Sequence, residues 1–284
     1  MSIHALSPTR IPYLDGALRS NAYEGCDITP EVCAVRGIEA CWARNMAIDE
    51  CRRIGTCPAK CPCEGIFAPS FHPDRLDAIL RVKKPTVFVH GFGGDLFCEG
   101  FTPKQRAPLW DVIRKVEGRG HAHVLLTKNP GAIDVNEMVG LHSDSLERMW
   151  FGVSITGADD LWRIAELDRV PMVSNRWVSA EPCLKGFGCE HCLPGYFDGI
   201  EFVVIGGLTD GKGRMIPPDE PHGTRPEWVQ PITNAVHEAE VPAVFLKGLS
   251  NATMQQITDP RTGRPFHSCR DEGWREVPGQ WRLR

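Results

Sequence analysis

The sequence has no apolar stretch long enough to span a bilayer. Its opening residues, Met1-Ser2-Ile3-His4-Ala5-Leu6-Ser7-Pro8, show neither the basic region nor the apolar region of a secretory signal. A cytoplasmic location is the expectation. Charge of one sign is also lacking. The net charge is -4 over 284 residues, so the molecule as a whole does not attract polyanions, and nucleic-acid binding would need a local basic patch. The weak candidate is Arg75, Arg81, Lys83 and Lys84, which reads more readily as a solvated helix end. Internal repeats and low-complexity tracts are absent as well. The hydrophobic content of 42% allows a substantial core.

What the chain has in quantity is cysteine, 12 in all. In the absence of a secretory signal, clustered cysteines point to metal binding rather than cross-linking. Cys26 and Cys33 lie in a stretch without apolar period that contains Pro30 and Gly37, which reads as a loop. Cys41 opens a segment from Glu39 to Ile54 that reads as a helix, with Ala40, Ala43, Ala47 and Ile54 on one side. Three thiolates so placed can hold an iron–sulfur cluster and leave one iron open to another ligand. Cys51, Cys57, Cys61 and Cys63 form a second group, broken by Pro58 and Pro62. It is a candidate for zinc or a second cluster, or for the main cluster itself. Cys183, Cys189 and Cys192 form a weaker third group, in which His191 sits too close to its neighbours to be an obvious fourth ligand. Cys98 and Cys269 stand alone in sequence and read as ordinary thiols.

From Leu76 onward short apolar runs recur at Thr86–Val89, His123–Leu126, Trp150–Val153, Arg176–Ser179, Phe202–Ile205 and Ala243–Leu246. Apolar on both faces, they read as buried parallel strands. Helical patterns fall between several of them, at Pro103–Glu117, Ala158–Asp168 and Pro226–Glu240. This alternation predicts an α/β fold. With a further strand expected near Ala22-Tyr23, an incomplete parallel (β/α) barrel of about six strands fits better than an open doubly wound sheet. Residues 1–248 are expected to form it, with 249–284 as an irregular tail packed on it. Each run ends in polar or glycine residues: Gly93-Gly94-Asp95, Lys128, Ser154, Glu181, Gly206-Gly207 and Lys247. In α/β barrels functional groups sit at those ends.

The ordered motifs carry a resemblance. Gly25-Cys26, Cys33 and Cys41-Trp42-Ala43, then Phe71-His72-Pro73-Asp74-Arg75-Leu76, Gly94-Asp95-Leu96-Phe97 and Leu126-Thr127-Lys128-Asn129-Pro130 follow one another. Trp150–Ser154, Val178–Pro182, Val204–Gly207 and Val241–Lys247 complete the series. Together these stretches resemble a phage and bacterial branch, of unknown function, of the radical S-adenosylmethionine (radical SAM) superfamily. The chain departs from it in the seven residues between Cys33 and Cys41, where the branch has two. The resemblance implies a [4Fe–4S] cluster on Cys26, Cys33 and Cys41, with SAM on the open iron. One electron, from a flavodoxin- or ferredoxin-type donor, would cleave SAM to a 5′-deoxyadenosyl radical that abstracts hydrogen from a substrate. A phage branch makes a nucleic acid or nucleotide an attractive substrate, and host cytoplasm the expected location.

The same resemblance implies that Gly93, Gly94 and Asp95 serve the SAM ammonium, and that Lys128 and Ser154 hold ribose hydroxyls or the SAM carboxylate. Gly206 and Gly207 would admit the adenine edge. Glu181 and Lys247 would pair with each other, or meet SAM or substrate. Trp42, beside Cys41, would shield the cluster from water. His72 reads as a capping residue. The rival reading is a non-catalytic zinc- or iron–sulfur-binding interaction protein that keeps the barrel.

Overall fold

The computed structural model describes residues 6–9, 11–38, 41–53, 67–91, 93–171, 173, 175–209, 214–266, 274 and 277–279. Cys57, Cys61, Cys63 and Cys269 lie outside the described residues, and Cys51 is described only as backbone. The fold is a mixed α/β one with a large, mostly parallel sheet of eight strands. The chain forms two compact units. One comprises Met1–Trp150 with Val170–Ser174, and the other Phe151–Arg169 with Asn175–Arg282.

The first unit begins with β1 (Leu6–Pro8), β2 (Leu18–Ser20) and β3 (Tyr23–Gly25), followed by α1 (Ala34–Gly37) and α2 (Trp42–Arg53). Next come β4 (Ser70–Phe71), α3 (Asp77–Arg81), β5 (Val87–His90), β6 (Gly93–Gly94), α4 (Pro103–Lys115), β7 (Ala122–Thr127) and α5 (Ser143–Leu146). Its part of the large sheet runs β1-β2-β5-β7. β1 is antiparallel to β2, and β2, β5 and β7 are parallel. β5 is buried along its whole length, as its unbroken Val-Phe-Val run requires. A capping box starts α4: Thr102 Oγ1 accepts from the Gln105 amide, and the Gln105 side chain accepts from the Thr102 amide. The buried Arg106 of α4 is neutralised by Glu137, with Nε to Oε2 at 2.9 Å, and Trp110 Nε1 donates to the same carboxylate.

Two N-terminal expectations need correcting. The strand that joins the large sheet is β2, not Ala22-Tyr23. Tyr23 belongs to β3, which pairs with β4 and β6 in a small separate sheet. The Cys loop is also not wholly irregular: Cys33 precedes the single-turn helix α1, and its carbonyl accepts from Gly37 N at 3.1 Å.

The second unit holds β8 (Met149–Ser154, entered from the first unit), α6 (Trp162–Asp168), β9 (Asn175–Ala180), β10 (Phe202–Gly206), α7 (Pro226–Glu238) and β11 (Ala243–Lys247). After them come α8 (Asn251–Met254) and the hairpin β12 (Thr258–Asp259)–β13 (Arg264–Pro265). Its strands run β8-β9-β10-β11, and β9, β10 and β11 are parallel. In each unit the strand order follows the chain without the reversal that marks a doubly wound sheet. α7 packs on β10 through an apolar face that buries Val229, Ile232 and Val236. Beyond residue 248 the chain has α8 and the hairpin where no structure was expected. Leu246 N donates to the Trp274 carbonyl at 2.8 Å, which ties the segment back to β11.

Candidate functional site

The first unit builds its candidate site on the small sheet β4-β3-β6. Gly25 and Gly94 face each other in parallel register. The approach is so close that a Cβ on Gly94 would stand 2.0 Å from the Gly25 carbonyl oxygen. Gly25 itself has φ +83 and no room for a Cβ beside Ala68. Glycine at both positions is therefore a packing requirement as well as a conformational one. The pairing carries Cys26 to the loop that follows β5. Cys26 N donates to Phe67 O at 2.9 Å and Asp95 N to Gly25 O at 3.3 Å. Tyr23 anchors the sheet from below, stacking on Phe71 at 4.8 Å and donating to the Gln105 carbonyl at 2.8 Å.

Around Cys26 the structure gathers Cys98, Asp95 and Lys128. The Cys98 thiol hydrogen-bonds to the Cys26 sulfur, which lowers the Cys26 pKa below the ordinary thiol value. Burial and the Asp95 charge oppose the shift, while the Ile28 amide and the Lys128 charge support it. The same bond, together with burial, raises the pKa of Cys98. Reading Cys98 as a lone thiol is thus corrected. Its adjacency to Cys26 is created by the β3–β6 pairing, and no sequence spacing announces it. Cys33 is buried, with its amide donating to Thr29 O at 2.9 Å, and Cys41 is half-buried just before α2, which packs against β6. Trp42 is 47% exposed, more open than a shield over a cluster would be.

Asp95 is buried, and this chain already employs its carboxylate. Oδ1 accepts from Thr127 Oγ1 at 2.7 Å and Phe97 N at 3.0 Å, and Oδ2 accepts from Lys128 N at 2.8 Å. Through these bonds the carboxylate pins the Gly93-Gly94 loop to the end of β7. His72 departs from expectation. Its side chain makes no cap bond and lies 3.1 Å from Ser70 Oγ and 3.5 Å from Glu24 Oε2. Glu24 also takes Arg75 at 2.8 Å, which withdraws that arginine from the candidate basic patch.

In the second unit Glu181, Gly206, Gly207 and Lys247 come together. Lys247 Nζ donates to Glu181 Oε1, both side chains being largely shielded, so the ion pair is formed. A Cβ on Gly206 would lie 2.9 Å from Glu181 Cγ and 2.9 Å from the Lys247 carbonyl, and one on Gly207 would lie 2.5 Å from Gly248 O. The chain's own packing accounts for both glycines. Ser154 ends β8 buried, and its carbonyl accepts from Arg163 Nη1 at 2.7 Å.

The third cysteine group does not assemble. Cys183 is fully buried; its thiol donates to Ala180 O at 3.1 Å, and burial pushes its pKa up to about 12. Cys189 and Cys192 are exposed. Among the described residues no three His, Cys, Asp or Glu side chains surround a single-ion site. A [4Fe–4S] cluster makes a different demand, because each thiolate binds a separate iron and the sulfurs stand farther apart than around one ion. Cys26, Cys33 and Cys41 fit that demand in donor type, and of the three Cys26 stands beside the Lys128 charge.

The architecture is that of an α/β protein with strands wound in chain order and a thiol-bearing loop held against a strand's C-terminal end. The chain belongs to the family described as "Protein of unknown function (DUF5131)", whose model matches residues 8–278. No curated protein matches it. Among solved structures it is similar to "Spore photoproduct lyase complexed with dinucleoside spore photoproduct" at 11% identity and TM-score 0.49. The match covers 87% of this chain and 79% of that one. That likeness is too distant to carry a function.

Proposed function

We propose that the protein is a radical SAM enzyme built on a partial (β/α) barrel, with Cys26, Cys33 and Cys41 as the thiolates of a [4Fe–4S] cluster. The observation that carries this reading is the β3–β6 pairing, which holds Cys26 at the C-terminal end of β5 beside Cys98, Asp95 and Lys128. A cluster with SAM bound there would supply one-electron cleavage of SAM and hydrogen abstraction. The chain's own groups do the positioning. Cys98 donates to the Cys26 sulfur, and Asp95 fixes the loop. The half-buried Lys128 offers a cation to a carboxylate. Gly93 leaves open space where a side chain would stand, so its backbone can be approached by a ligand.

The test is iron and sulfide content of protein purified without oxygen, with SAM cleavage measured alongside. Cys26→Ala, Cys33→Ala and Cys41→Ala should each lose most of the iron and the cleavage, while Cys189→Ser keeps both. Full iron and cleavage in Cys33→Ala would move the cluster to the Cys57, Cys61 and Cys63 group. Colourless protein carrying zinc alone would replace the reading with that of an interaction protein.

A further inference from the structure

With Cys183 removed from the third cysteine group, Cys189 and Cys192 remain as an exposed Cys-x-x-Cys pair that the proposed function does not use. The turn that carries them is closed by Cys192 N donating to the Cys189 carbonyl at 3.2 Å. Gly188, at φ +80, reverses the chain immediately before it. A turn closed in this way keeps its first and last Cα atoms within about 7 Å, the separation a disulfide spans. Both residues are exposed and neither is in a disulfide.

We infer that Cys189 and Cys192 form a surface redox dithiol that exchanges with low-molecular-weight disulfides. Reactive thiols are accessible ones whose thiolate is stabilised by neighbours, and buried thiols are inert. Cys189 meets the first condition: the Cys192 thiol and two backbone amides stabilise its thiolate, and its pKa is lowered. The pKa of Cys192 is raised by the neighbouring Cys189 sulfur. The roles are thereby divided, with Cys189 as the attacking sulfur and Cys192 as the resolving one.

In the reaction the Cys189 thiolate attacks one sulfur of a disulfide RSSR. A protein–S–SR bond forms and one RS⁻ leaves, taking up a proton. Cys192 then loses its proton, attacks Cys189 Sγ and expels the second RS⁻. The balance is one dithiol and one RSSR giving one protein disulfide and two RSH, with two electrons passing from the protein to the small disulfide. Nothing in this step involves the loop at Cys26, so the inference stands or falls apart from the cluster.

The experiment treats the full-length reduced protein with oxidised glutathione under argon, quenches with iodoacetamide and maps the peptide carrying both residues. Wild type should close the Cys189–Cys192 disulfide, and Cys192→Ser should accumulate a stable glutathione adduct on Cys189. Cys189→Ser, which keeps a single thiol, should hold glutathione on Cys192 without forming a protein disulfide. A wild type that holds glutathione without closing the disulfide, or a Cys192→Ser variant that takes up none on Cys189, would overturn the inference.

Discussion

Replacing Asp95 tests whether its carboxylate holds the loop or waits for a ligand. The side chain is 5% exposed and accepts from Thr127 Oγ1, Phe97 N and Lys128 N. A hydrogen bond to a charged group contributes about 1.5–3 kcal/mol, and a buried donor left alone costs about 1–3 kcal/mol. The three bonds are not additive, because Thr127 can rotate its hydroxyl and water can enter the gap left by alanine. Asp95→Ala should therefore lower stability by about 3 kcal/mol, a large share of the roughly 5–15 kcal/mol of a typical domain. Asp95→Asn should cost less, about 1–2 kcal/mol. Its retained oxygen can still accept from Thr127 and Phe97, but its amide turns a donor toward the Lys128 N–H. Urea unfolding of the cluster-free protein gives the ordering directly. Equal stability of wild type, Asp95→Asn and Asp95→Ala, combined with loss of SAM binding in both variants, would refute the structural assignment and return Asp95 to the cofactor.

Two further outcomes follow from the first unit. His90 and His123 are buried side by side, with Nε2 of one 2.9 Å from Nδ1 of the other. Burial holds His90 at about 3 and His123 well below its ordinary value. Both are neutral when folded, whereas the unfolded chain takes up protons below about 6.5. Their contribution is therefore complete above that pH and is lost progressively as pH falls toward 3. Denaturation midpoints between pH 7 and 4 should decline less steeply in His123→Leu, and parallel curves for variant and wild type would contradict this. Gly94→Ala should force β6 from β3, because its Cβ would meet Gly25 O at 2.0 Å. Iron per chain should fall below half that of wild type, and full occupancy with unchanged stability would show that the β3–β6 pairing does not position Cys26.

The six apolar runs from Thr86 to Leu246 could be read as strands because burial on both faces leaves a largely apolar segment, and each appears as a strand shifted by no more than a residue or two at its ends. The N-terminal strands could not be read this way. Leu18-Arg19-Ser20 is three residues long and carries a cation. Its place in the sheet is decided by pairing with Phe88, Val89 and His90, information that lies some seventy residues away. The tail was illegible for a similar reason, since the two-residue strands at Thr258 and Arg264 exist only as a pair.

In the candidate site, motif order located the Cys26 loop and the strand ends but could not say what each residue is for. Glycine after a strand satisfies two demands that look alike in sequence: access for a ligand, and close approach of backbone to backbone. At Gly206 and Gly207 the second demand is met by Lys247 O and Gly248 O within 2.9 Å and 2.5 Å of where a Cβ would lie. An adenine need not be invoked to explain them. At Gly93 the nearest atom to such a Cβ among the described residues is Glu24 Cγ at 3.9 Å, so their packing does not demand glycine there. Of the four glycines assigned to SAM, Gly93 is therefore the one whose bareness the fold leaves unexplained. A ligand that touches the backbone after β5 should be felt first at this residue.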